Sequence, residues 1–452
     1  MTASAFDSAI LGPLFTSEAI NRHLGDAAAV RAMVAVERGL ALAQGRLGVI
    51  PAEAGETIAR ELEDFEADLD DIGAQTVDSG VATIALVKQL RARVGGEAAA
   101  FVHFGATSQD IIDTALVLRL VPVLDELEQG LNGTIAGLYR LADAHRDTPM
   151  AGRTRFQQAL PTSFGLKAAG WMTPLVRHLE RLRQLRPRLL VVSFGGAGGT
   201  LASLVDRGME VEAGLAGELG LGVPDGIWHT QRDSVAELAS WLSLVTGSLG
   251  KMAQDILLMV QNEVAELRET ETTGRGGSST LPQKANPISS EVVVSAARMN
   301  ASLLTAVHQG QIQEHERGGP GWQLEWMSLP QMLACTGGAL AHARGLAEQL
   351  SVKADAMRAN LDLSNGLLLA EAASFRLAAF MPKPQAQSLV KTACQECMSS
   401  GRHLVDVLRQ TVDHPVDWEA LRDPRNYLGS ADALIERALE RVRAQGAVAA
   451  AD

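Results

Sequence analysis

LASWLSLVTGSLGKMAQDILLM, residues 238–259, sets Leu238, Leu242, Val245, Leu249, Met252, Ile256 and Met259 in a strict four–three rhythm. Steps of four and three bring side chains onto one stripe of an α-helix, so the stretch reads as the buried seam of a long helix in a bundle. No proline falls between Pro224 and Pro282 to interrupt it. A second seam runs through Leu116, Leu120, Leu124, Leu127, Leu131, Ile135, Leu138 and Leu141. Pro122 lies within it, which predicts a kink near the start of that helix. A third proline-free stretch, Gln331 to Met381, has similar apolar spacing. Three such helices predict an all-α fold, an elongated central long-helix bundle with few strands.

Soft boundaries near Gln109 and Lys353 would divide the chain into an N-terminal helical domain (1–109), the central bundle (110–353) and a C-terminal helical domain (354–452). The two outer parts read as smaller helical caps. Apolar positions outnumber what one seam needs, which predicts that other subunits cover part of the surface.

Bulk composition narrows the class. The 452 residues are 46% hydrophobic and 21% charged, ample for a large core. Apolar runs such as Ile256 to Val260 fall far short of the roughly 20 residues that cross a bilayer. Asp7, with no basic residue before the short apolar patch Ala9 to Phe15, argues against a secretory signal, so a cytoplasmic protein is expected. A net charge of −13 with no basic stripe repels phosphate backbones, which argues against nucleic acid as a partner. Cys335, Cys394 and Cys397 form no disulfide framework, and the Cys394/Cys397 pair reads as structural.

Chemistry concentrates in GRGGSSTLPQKANP, residues 274–287. Gly274, Gly276 and Gly277 let the backbone approach a ligand closely, and the phosphate-loop pattern fails because no G-K-[ST] follows at the required spacing. Bond making or breaking beside a carboxylate needs a base for a weakly acidic C–H and cationic or amide donors for the developing charge. The loop offers hydroxyls at Ser278 and Ser279, a cation at Lys284 and an amide at Asn286. Composition alone does not separate the two serines. A serine base requires a depressed pKa in a site closed to water, which loop closure would supply.

GGSSTLPQKANP resembles the GSSxMPxKxNP signature of the fumarase/aspartase superfamily, which includes argininosuccinate and adenylosuccinate lyases. HFGATSQDIIDTA (His103 to Ala115) and GRTRFQQALPTSFG (Gly152 to Gly165) resemble its other active-site regions, in the expected order. Within the superfamily the chain is most similar to the cycloisomerase branch, which lactonises carboxymuconates. That similarity includes LRPRLLVVSFGGAGGTLASL from Leu185, WHTQRD from Trp228, QEHERGGPGWQLEW from Gln313, LDLSNGLLLAEA from Leu361 and NYLG from Asn426.

The resemblance implies a proton-carrying role for Ser278, with Lys284 and Asn286 holding the charged carboxylate. It implies that Thr107, Ser108 and Gln109 bind another carboxylate, with His103, Gln157, Gln231 and Arg317 as further pocket members. It also implies no metal or organic cofactor, a small polycarboxylate substrate, and a homotetramer whose pockets form where three subunits meet. Thr107 and Ser108 could also serve as a helix cap, and His229 as a helix-start histidine. The superfamily's lyases often carry T-H where this chain has Thr154-Arg155. A guanidinium does not deprotonate usefully near neutrality but can hold a carboxylate bidentately, which favours lactonisation over amine elimination. Leu281 replaces the signature's Met, and Gln283 and Ala285 replace residues common in related loops. A fumarate-releasing lyase acting on a succinyl adduct, and a non-catalytic relative, are the competing expectations.

Overall fold

The computed structural model describes residues 4–270, 276–277, 280–281 and 283–446. Among these, five long helices dominate: Ser108–Ala144, Phe164–Leu189, Asp233–Met259, Ile288–Gln309 and Pro320–Gln349. The described strands form two small antiparallel pairs, so the all-α class holds. All seven residues of the 238–259 seam are buried, as are Leu120, Leu124, Leu127, Leu131, Ile135 and Leu138 of the second seam.

Three long helices were legible and five are present. Phe164–Leu189 carries Pro174 and Pro187, which read locally as breakers although the helix runs through them. The third proline-free stretch is corrected at both ends. Its helix opens earlier, with Pro320 in the first turn where no intrahelical N–H is needed, runs through Pro330, and stops at Gln349. Shorter elements fill the remainder to Met381.

By contact, the chain forms two compact units. The first comprises 1–130, 178–247 and 295–341, the second 131–177, 248–294 and 342–452. In the first, the Asp26–Arg46 helix packs on Ala52–Glu61 and Gly208–Leu219. Val36, Leu40, Ile58, Leu86, Ile111 and Phe194 form part of its core. In the second, a hairpin of Pro149–Thr154 and Gln157–Ser163 places Ala151 in a cluster with Leu361, Leu377, Leu404 and Leu408. Leu267–Arg268 pairs there with Ser351–Val352. Cys335 and Cys397 are buried, and burial pushes the Cys335 thiol up to about 12 and raises Cys394 and Cys397 as well. None of the three is a ready thiolate near neutrality.

Helices approach so closely in places that only glycine fits. A Cβ at Gly137 would lie 2.6 Å from Ala347 Cβ and 2.8 Å from its carbonyl carbon. Gly137→Ala raises helix propensity by about 1 kcal/mol, yet overpacking against backbone costs about 1–3 kcal/mol. The variant is expected to melt below the wild type in differential scanning calorimetry. A higher melting temperature would mean that propensity outweighs the clash.

Candidate active site

In the first unit the site is organised by a buried carboxylate. Asp110 sits in the first turn of the Ser108–Ala144 helix and is fully buried. Its Oδ1 accepts from Gly195 N at 2.8 Å and meets His229 Nε2 at 2.7 Å. Its Oδ2 accepts from Thr107 N at 2.9 Å and Gly196 N at 3.0 Å. One side chain therefore ties the turn before the helix to the 195–196 loop and to His229. The bond back to Thr107 N satisfies one of the backbone donors that a helix start leaves open.

Thr107 and Ser108 are half-buried, and neither hydroxyl makes a hydrogen bond among the described residues. Two hydroxyls beside the N-terminus of a 37-residue helix form a site suited to an anion. Gln109, by contrast, is buried and its amide is spent. Its Nε2 donates to His229 O at 2.9 Å and Asp113 Oδ2 at 3.1 Å, and its Oε1 accepts from Arg317 Nε at 3.0 Å. Arg317 also donates through Nη2 to Gly196 O at 3.1 Å. Both acceptors are neutral, and Arg317 has no carboxylate partner among the described residues. Its charge is held in place without being cancelled.

A turn further along the helix, Asp113 anchors a second buried cluster. Arg232 Nη1 donates to Asp113 Oδ2 at 2.7 Å, and Arg232 Nε donates to Glu325 Oε1 at 2.9 Å. Trp322 Nε1 donates to Asp113 Oδ1 at 3.1 Å, and the Trp228 ring lies 4.9 Å from the guanidinium carbon. Burial works to lower the Arg232 pKa, but Asp113 and Glu325 outweigh it and raise it, so the guanidinium stays charged. Gln231, next in sequence, is exposed and lines a cavity of about 410 Å³ with Trp228, Arg188 and Asp225, a cavity that holds no other predicted site residue. His103 is half-buried with Nδ1 2.6 Å from Glu37 Oε1.

In the second unit, Arg155 and Phe156 form the two-residue tip of the hairpin, at φ 50° and 66°. Positive φ at both central residues matches the twist of a hairpin, but without glycine it is strained. Arg155 and Gln157 are exposed, and Arg155 has no partner among the described residues. The stem is braced by Arg153, whose two terminal nitrogens bind the buried Glu266 carboxylate at 2.7 and 2.9 Å.

The glycine-rich loop closes on itself. Asn286 N donates to Gly276 O at 2.7 Å, and Gly277 bridges Ala285. Gly276 has φ 72°, and a Cβ there would lie 2.4 Å from Asn286 O, so no other residue fits. Lys284 is exposed without a carboxylate partner among the described residues, and Asn286 is half-buried. Asn286 also lines a pocket of about 310 Å³ with Arg268, Glu269, Gln283 and Lys353. Glu269 accepts from Ser289 N and Ser290 N and so caps the Ile288–Gln309 helix that follows the loop. Ser278, the expected proton carrier, lies outside the described residues, as does Ser279.

Sequence reasoning did not single out Asp110, Asp113, Arg232 or Glu325, and it set His229 aside. Acids three apart in an apolar helix start were the available signal. Among the described residues, no group of three or more His, Cys, Asp or Glu is placed to hold a metal. No helix among them is long and apolar enough to cross a membrane.

Among the described residues, the cations without carboxylate partners and the unpaired hydroxyls are groups chemically suited to an anion such as a carboxylate. Residues 10–299 match the family model described as Lyase, and residues 366–438 match the Adenylosuccinate lyase C-terminus. The chain is 42% identical to 3-carboxy-cis,cis-muconate cycloisomerase of Bradyrhizobium diazoefficiens over 96% of its own length and 98% of that protein's. It superposes with a TM-score of 0.92 on 3-carboxy-cis,cis-muconate lactonizing enzyme from Pseudomonas putida, at 39% identity, covering 97% and 99% of the two chains. The fumarate lyase from Mesorhizobium sp. BNC1 gives 0.89 at 40% identity, covering 94% and 98%. The chain belongs to the fumarase/aspartase superfamily of lyases, and it is an enzyme of that superfamily.

The buried Arg232 triad generates a stability prediction. Arg232→Leu leaves Asp113 and Glu325 buried without their cation, at a cost of about 3–5 kcal/mol. Thermal unfolding is expected at a clearly lower temperature. A wild-type melting temperature would mean that the two acids find other compensation.

Proposed function

We propose that the enzyme is a cycloisomerase that lactonises 3-carboxy-cis,cis-muconate to a carboxymuconolactone, a step of aromatic-compound degradation. The observation that carries this reading is that Arg155, Lys284 and Arg317, where the resemblance places substrate, have no carboxylate partner among the described residues. The chain as a whole carries 53 acidic against 40 basic side chains, so acids are in surplus elsewhere. A tricarboxylate substrate would supply the missing partners. The near-full-length similarity to cycloisomerases supports the same substrate.

One muconate carboxylate attacks the conjugated double bond. A C–O bond forms, and the π pair moves onto the carbon beside a neighbouring carboxylate. Arg317, Lys284 and Asn286 stabilise that charge, and the Thr107 and Ser108 hydroxyls hold another carboxylate. The Ser278 hydroxyl then gives its proton to the carbon and recovers one from solvent. Gln109, with its amide already paired, acts by holding Arg317. His103 and Gln157 complete the pocket, Gln231 stands on a different cavity and is given no contact with substrate, and Arg155 holds a carboxylate where a lyase histidine would donate a proton. No metal or organic cofactor takes part.

The enzyme acts in the cytoplasm as a homotetramer in which segments of several subunits complete each site. Leu244, Leu258, Met299, Trp326 and Met327, exposed on the long helices, are surface that neighbouring subunits would cover. The second reading, a lyase releasing fumarate from an amino-, nitro- or adenylosuccinate-like adduct, is favoured by the similarity to the Mesorhizobium fumarate lyase.

Offering 3-carboxymuconate and a panel of succinyl adducts separately distinguishes the two. Loss of muconate absorbance with lactone formation is expected, and fumarate release without lactone would overturn the first reading. Ser278→Ala is expected to lower kcat about 10²–10⁴-fold, the usual range for a lost acid–base group, with the tetramer intact by light scattering. Near-wild-type turnover would remove Ser278 from the mechanism.

A further inference from the structure

The Asp26–Arg46 helix carries two buried polar side chains, Glu37 and Gln44, on a face that also presents Val30, Val34 and Leu40 to the core. Seven residues apart, they lie one above the other on that face. Both reach the same loop. Glu37 Oε1 lies 2.6 Å from His103 Nδ1, and Gln44 Nε2 donates to Phe104 O at 2.7 Å. Arg91 Nη2 holds the preceding carbonyl, Val102 O, at 3.1 Å. Gly105 follows with φ 75°, where a Cβ would lie 2.8 Å from a Leu204 methyl carbon. His103 itself sits at φ 64°, a left-handed conformation that costs a non-glycine residue of order 1–3 kcal/mol.

Strain, a buried acid and three pinned neighbours are more than a loop needs merely to turn. A carboxylate buried away from water is costly unless its partner is well placed, and Glu37 Oε2 has no hydrogen-bond partner among the described residues. The pair is thus a poor device for stability alone. A carboxylate can only accept, so its contact with Nδ1 requires the Nδ1 proton. Nε2 makes no hydrogen bond among the described residues.

We propose that Glu37 is a positioning residue which fixes His103 as a one-nitrogen relay between solvent and the bound substrate, with Nδ1–H always on Glu37 and Nε2 alone facing substrate. Nε2 takes up a proton from solvent and donates it in a hydrogen bond to the substrate carboxylate on which charge develops, while the Glu37 carboxylate balances the imidazolium and Ser278 alone protonates carbon. When the product leaves, Nε2 returns that proton to solvent and the ring is neutral again with Nδ1–H unchanged. This rests on the function proposed above, because it places His103 beside substrate.

Glu37→Gln keeps the shape, removes the charge, and lets either end of the amide face Nδ1. Kcat is expected to fall at least about tenfold while KM stays within about threefold. In a His103→Gln background the same change is expected to cost less than about twofold, since Glu37 acts only through His103. The proposal is overturned if Glu37→Gln keeps kcat within threefold, if KM rises as kcat falls, or if it lowers the His103→Gln rate by its wild-type factor. Should Glu37→Gln fail to assemble, Glu37→Asp, which retains the carboxylate, is expected to keep more activity than Glu37→Ala. Equal loss in those two would equally overturn the proposal. Each comparison is a ratio for whichever substrate the wild type turns over, so inactivity toward 3-carboxymuconate would fail the substrate reading and leave the relay to be judged on the succinyl adduct that is turned over.

Discussion

Asp110 is the constraint on which the arrangement of the first unit's candidate site residues depends. Its two oxygens engage Thr107 N, Gly195 N, Gly196 N and His229 Nε2, and no solvent reaches them. Charge-assisted bonds of this kind are roughly twice as strong as neutral ones and rigidify what they join. Through Gly196, whose carbonyl accepts from Arg317, the same carboxylate helps set where that guanidinium sits. The Thr107 and Ser108 hydroxyls beside Asp110 make no hydrogen bond among the described residues.

Two buried carboxylate clusters match the cations they hold, Arg232 by Asp113 and Glu325, and Arg153 by Glu266. Where the resemblance places substrate, the cations are held by neutral groups or stand exposed. Such a division costs stability that a fully paired protein would keep, and it leaves preorganised positive charge for an anionic transition state. Backbone strain occurs at the Arg155–Phe156 tip and at His103 among the predicted site segments, and also at Leu201, Val205, Ala265 and Asn365.

Legibility in the sequence tracked the range of the interaction. The 238–259 seam was readable because helical burial repeats locally, and all seven residues the rhythm picks out are buried. The 164–189 helix was hidden because Pro174 and Pro187 imitate its ends. Thr107, Ser108, Lys284 and Asn286 stand in contiguous motifs and were found there. Gln109 was found too, but its engagement with Arg317 spans 208 positions, so its present partner was invisible. Asp110–His229 and Asp113–Arg232 each span 119 positions, and only tertiary packing turns those polar residues into buried pairs.

Binding of the carboxymuconolactone product by wild-type and Asp110→Asn enzyme, followed by isothermal titration calorimetry, tests most directly whether this buried carboxylate sets up the substrate cations. Asparagine presents a donor to backbone N–H groups that need an acceptor, at about 1–3 kcal/mol. With the tetramer intact, affinity is predicted to fall about tenfold or more. Unchanged affinity would contradict the dependence of the site on Asp110.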